Sequence, residues 1–225
     1  MDYDEFLHLL RVGEPKRFVE LLIETLRQVY AFNADRHEED MGDDAQTFGF
    51  LVYRNGWRRL EDQLGSLAGV STRRPNNSLQ IQVEGGVHFH VYRGGNDETF
   101  DIYTYDFSTG TQTKVSLPAH NGRQLSLFEQ EEPAADHVWR LDELVFVHAG
   151  NPDTGLTGVW VGAPIPEAAD GSQWAWVLPL YSGESDGARA KDDTTAPVSP
   201  FDALDEPDLD VGLLDDEADQ GEEAG

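Results

Sequence analysis

The chain has no cysteine, few basic residues and no apolar run long enough to cross a bilayer. Without cysteine there is no disulfide framework, thiolate metal ligand or thiol nucleophile, which suits a reducing compartment. The lack of a run of about 20 apolar residues predicts no membrane-spanning helix. The opening residues, "MDYDEFLHLL", are acidic and interrupted. A secretory signal needs a basic start and an apolar core, so the expected location is cytoplasmic. The 225 residues carry 16 basic and 43 acidic side chains, a formal net charge of −27. Such a charge disfavours non-specific attraction to nucleic acid or anionic membrane. The few cations are mostly arginine, a bias compatible with a GC-rich genome or with high-salt adaptation.

The acids are unevenly spread. From Ser182 onward there are 15 acidic and 2 basic residues, which leaves 28 and 14 for the body. A segment of that composition buries too little apolar surface to offset its ordering entropy. We expect a single α+β domain over 1–181 and a disordered acidic tail over 182–225. Two short apolar islands in the tail, "PFDAL" and "VGLL", have the acidic–hydrophobic alternation of docking peptides.

The body reads as helices followed by strands, helical over 1–68 and mainly β over 77–181. Asp2 or Asp4 can cap a helix carrying Phe6, Leu7, Leu9 and Leu10, and Pro15 sits well in the first turn of the next. Phe18, Leu21, Leu22, Leu26, Val29 and Tyr30 recur at helical spacing. A third segment holds Phe48, Leu51 and Val52, and Asn55 is placed to cap a fourth. The period then changes to two. Leu79, Ile81 and Val83 alternate with polar residues, Gly85-Gly86 marks a turn, and Val87, Phe89 and Val91 alternate with His88, His90 and Tyr92. Phe100–Tyr105 and "TQTKVSL" continue the alternation. Further strands are expected over 144–148, 158–162 and 174–180. The architecture expected is an antiparallel meander with one apolar face packed on the N-terminal helices.

Most catalytic patterns fail on their mechanism. Gly183-Glu184-Ser185-Asp186-Gly187 matches a serine-nucleophile elbow, but no apolar helix follows and no histidine lies beyond His148. His37-Glu38-Glu39 lacks the second histidine of a helical zinc pair. The tail aspartates place Gly212 where a calcium loop needs an oxygen ligand. His88 and His90 are better placed, because residues two apart on a strand share a face and could reach one divalent metal. The pair is similar to the His-x-His of the cupin family, but no glutamate follows within five residues and the second cupin motif is missing. A third ligand could come from His120, His137, His148 or Asp101. Otherwise no cofactor is expected.

Between Phe50 and Gly95 the charge inverts. Arg54, Arg58, Arg59, Arg73, Arg74 and Arg93 stand against Glu61, Asp62 and Glu84. With Tyr92 and Tyr103 beside Arg73, Arg74 and Arg93, this set could bind single-stranded nucleic acid, with the acidic tail as competitor. The alternatives are arginines paired with carboxylates, and rings buried by later strands or by Trp160, Trp174 and Trp176.

One polar stretch, "NGRQLSLFEQEEP", holds three large apolar residues. Gln124, Leu125, Ser126, Leu127 and Phe128 resemble, at all five positions, the peptide by which bacterial polymerases and repair proteins bind the replicative sliding clamp. The resemblance implies that Leu127 and Phe128 fill an apolar pocket and that Gln124 anchors the start. An archaeal clamp would want paired aromatics further along, where Gln130 and Glu131 stand. The alternative is a strand burying Leu125 and Leu127. The leading expectation is a non-enzymatic accessory or regulatory protein docking on the clamp. A single-stranded nucleic-acid-binding domain and a metal-dependent enzyme centred on His88 and His90 stand as alternatives.

Overall fold

In the computed structural model, residues 1–75, 78–95, 100–128, 141–166 and 172–183 are described, for 124–128 the backbone alone. The helical spacing of the first third forms α1 (Tyr3–Leu9), α2 (Pro15–Ala34) and α3 (Ala45–Leu64). Asp2 caps α1 by accepting the Glu5 N–H at 2.8 Å, while Glu5 accepts the Asp2 N–H at 2.7 Å. This reciprocal pair satisfies two amides that the helix itself leaves unbonded. Asp44 caps α3 through the Thr47 N–H at 2.7 Å.

One boundary is corrected. α3 runs unbroken through Asn55, which does not cap a fourth helix. Phe48, Val52, Leu60 and Leu64 are buried along one stripe at multiples of four, and a break would divide it. Asn55 instead donates to Asn33 Oδ1 at 2.8 Å, and Asn33 donates to the Val29 carbonyl at 2.7 Å. These bonds tie α3 to α2.

The strands are β1 (Val70–Arg73), β2 (Gln80–Val83), β3 (His88–Gly95), β4 (Glu143–Asn151), β5 (Gly155–Pro164) and β6 (Trp174–Ser182). They lie in chain order across a six-stranded sheet. The expected Gly85-Gly86 turn joins β2 to β3, with both glycines at positive φ, 96° and 87°. The strand pairs are antiparallel except β3 with β4, which is parallel. The architecture is therefore α+β as expected, but the sheet is mixed, not a pure meander. A parallel neighbour cannot be reached by a hairpin, so the chain must cross a sheet face between β3 and β4.

That crossover replaces two expected strands. Ile102–Thr104 is a short 3₁₀ turn, and α4 spans Gln112–Phe128. Local acids explain the first change: Asp101 accepts the Tyr103 N–H at 3.0 Å and Asp106 accepts the Ser108 N–H at 2.7 Å. These short bonds compete with a strand ladder. In the second, Val115 is exposed and Leu117 buried, whereas a strand would put both on one side. Gln124–Phe128 form the end of α4 and are not a strand. β1 falls between the regions expected to be helical and β, and its burial alternates only between half-buried and exposed, so it carries no apolar pattern.

The sheet has two covered faces. Phe89, Val91, Leu144 and Phe146 pack with α1–α3, where Phe89 and Phe146 stack at 4.7 Å between centroids. Tyr92, Val145 and Val147 pack on the other face with Ile102, Tyr105, Phe107, Leu117 and Trp174. Met1–Glu184 form one compact unit. The acidic tail expected over 182–225 lies, from residue 184 on, outside the described residues. Among the described residues no helix is long and apolar enough to cross a membrane.

Candidate functional site

The polar side chains converge on the face that α4 covers. Strand alternation turns His88, His90 and Tyr92 of β3 away from the helical core. The parallel register sets His88 beside Glu143 and His90 beside Val145. Glu143 then reaches both rings: His88 Nδ1 lies 3.0 Å from its Oε1, and His90 Nε2 lies 2.7 Å from its Oε2. Burial would raise the Glu143 pKa, but hydrogen bonds from His90 and His88, with their charges, outweigh it and hold the carboxyl below the usual range.

An ionised carboxylate only accepts, so each imidazole donates to it. Neutral His88 then keeps Nε2 as its basic nitrogen, and neutral His90 keeps Nδ1. Gln80 Nε2 lies 3.3 Å from His90 Nε2, but both nitrogens are donors in this arrangement, so the shorter contact to Glu143 is the bond. Gln80 is oriented from its other end, where Arg73 Nε donates to Oε1. The His90 Nδ1 atom is buried and has no hydrogen-bond partner among the described residues.

α4 is fixed over this cluster by Asn121. Its Nδ2 donates to the Glu143 carbonyl at 2.7 Å and to the Pro164 carbonyl at 2.8 Å. Beneath the helix lies a cleft of about 350 Å³, whose lining includes Arg73, His90, His120, Arg123 and Glu143. Sequence reasoning missed Glu143 and Asn121. No carboxylate lies within five residues past His90, whereas β4 delivers one from 53 positions away. An acid heading the apolar run "ELVFV" was the available signal.

The metal reading finds His88 and His90 adjacent but already committed to Glu143. Among the described residues, no group of three or more His, Cys, Asp or Glu is placed to hold a metal ion. Of the further ligands considered, His120 lines the cleft, Asp101 caps a turn, and His137 lies outside the described residues. His148 is on the opposite face, where its Nδ1 pairs with the Tyr30 hydroxyl at 2.9 Å.

The proposed nucleic-acid residues do not share one surface. Tyr103 is 66% exposed, but Tyr92 is 5% exposed. Arg74 pairs with Glu61, and Arg73 lines the cleft. Arg93 faces the helical side, lying over the Phe48 ring and donating to the Gly150 carbonyl at 3.0 Å. Gln124, Leu125, Ser126, Leu127 and Phe128 occupy the last turns of α4.

No protein-family model matches this sequence, and no curated protein or solved structure is significantly similar to it. The functional reading therefore rests on the chain's own residues.

Proposed function

We propose that the protein is a non-enzymatic accessory or regulatory protein of bacterial DNA transactions, acting in the cytoplasm. It docks on the replicative sliding clamp through Gln124, Leu125, Ser126, Leu127 and Phe128. The observation that carries this reading is the five-position resemblance to the clamp-binding peptide. Two features of the fold support it. The pentapeptide takes no part in the sheet, so a partner can take it without breaking a strand ladder. The buried polar anchor of α4 is Asn121, and Arg123, just before the peptide, is already exposed. A few apolar anchors entering a pocket supply most of the energy of such an interface.

Calorimetric titration of the full chain into a purified bacterial clamp tests the proposal. Saturable binding is expected, weakened about tenfold or more by Leu127→Ala and by Phe128→Ala, a loss of about 1.4 kcal/mol or more. Absence of binding, or equal binding by both variants, overturns it.

A further inference from the structure

We propose that the cleft beneath α4 is a binding site for a small phosphate-bearing molecule, either free phosphate or a phosphate monoester. The first observation is charge. The chain carries a net charge of −27, yet this cleft brings together Arg73 from β1 with His120 and Arg123 from α4. The one carboxylate among its described lining residues is Glu143, and both of its oxygens are taken by His88 and His90. Among the described residues, the cleft therefore brings cationic and donor groups together with no carboxylate other than Glu143.

The second observation is an unused polar atom. His90 lines the cleft and is 2% exposed, and its Nδ1 has no hydrogen-bond partner among the described residues. Buried polar atoms are rarely left so, because water has been removed without replacement. Glu143 holds the other ring nitrogen, so the imidazole is fixed in orientation. Protonated, its Nδ1–H donates to an oxyanion while Nε2–H stays on Glu143.

The third is preorganisation. Arg73 is steadied at Nε by Gln80, which leaves the terminal nitrogens for the forked contact that guanidinium makes with phosphate. The cleft volume, about 350 Å³, is at the small end of ligand pockets and suits a compact metabolite. The site is argued from Arg73, His90, His120, Arg123 and Glu143 and does not invoke the pentapeptide.

The test is calorimetric titration of the full chain with inorganic phosphate and, separately, with adenosine monophosphate. Nitrogen resonances of the histidine rings are followed alongside. We expect saturable binding, weakened about tenfold by Arg73→Gln and by Arg123→Gln, with the His90 resonances moving on saturation. Arg58→Gln, an exposed α3 position outside the cleft, should bind as the parent does. Tighter binding of the monophosphate identifies an ester ligand; equal or tighter binding of inorganic phosphate identifies the free anion. Two results overturn the site: no saturable binding of either probe, or binding that the control substitution weakens as much as the cleft substitutions do. Melting curves confirm that each variant folds, and two cleft variants keep the test decisive if one does not.

Discussion

Toward α1–α3, strands β3 and β4 present Phe89, Val91, Leu144 and Phe146, none more than 2% exposed. From the same strands, the face under α4 receives His88, His90 and Tyr92, with Glu143, Val145 and Val147. Each face also holds a histidine, managed differently. On the helical side His148 is buried, hydrogen-bonds with the Tyr30 hydroxyl and lies near Arg93, and its pKa is pushed down to about 3, by burial first and by Arg93 second. On the crossover side His88 and His90 are offered a carboxylate. One face holds its histidine neutral, and the other pairs its histidines with a carboxylate. Stability should therefore come mostly from the first and ligand chemistry from the second.

The largest expected effect tests that division. Phe146 is fully buried and stacked on Phe89, so Phe146→Ala should cost about 3–5 kcal/mol. Its neighbour Val145, equally buried but on the other face, should cost about 1–2 kcal/mol as Val145→Ala, from the methyl groups lost. Denaturant melts of both variants provide the measurement. Equal costs would remove the distinction between the faces.

A middle-sized effect separates the two histidine systems by pH. His148 has a lower pKa folded than unfolded, so between about 6.5 and 3 the unfolded chain binds the extra proton. Its contribution is complete above pH 6.5 and is lost as pH falls, by about 1.4 kcal/mol per unit. From pH 6.5 to 5 the loss is about 2 kcal/mol. Relief of the chain's negative self-repulsion acts in the opposite direction, so the comparison should be made with His148→Gln, whose amide keeps a hydrogen-bond partner for Tyr30. The stability difference between parent and variant should shift against the parent as pH falls through that window. A constant difference would mean that His148 is not held neutral.

The contrast between the faces was half legible in the sequence. Alternation of Val87, Phe89 and Val91 with His88, His90 and Tyr92 assigned the sides of β3, and spacing by three and four located α2. The crossover was not legible. Phe100 with Ile102, and Val115 with Leu117, alternate like strands, but Asp101 and Asp106 turn the first segment through bonds spanning two residues. The second starts with Thr111 Oγ1 accepting the Lys114 N–H at 3.3 Å, as a helix does. Pairing of β3 with β4 is non-local, and nothing near His90 signals that Glu143 will arrive beside it. Asn55 is a good capping residue in type, but the buried stripe continues through it from Val52 to Leu60, so the helix does not break there.

The smallest effect concerns Glu143 itself. Glu143→Gln keeps the shape of the side chain, and its amide oxygen still accepts from one imidazole. Its amide nitrogen can donate to the other ring once that ring changes tautomer. A neutral network of the same connectivity is thus available, and at pH 7 the cost should be about 1 kcal/mol, well below that of Phe146→Ala. The sign of the pH dependence follows from the lowered Glu143 pKa. The parent's extra stability is present above the usual carboxylate range and disappears as pH falls through the folded value, because the unfolded carboxyl takes its proton first. Melts of parent and variant should therefore converge at low pH and separate near neutrality. A penalty at pH 7 as large as that of Phe146→Ala would show that the charged cluster beneath α4, and not the dry aromatic face, holds β3 against β4.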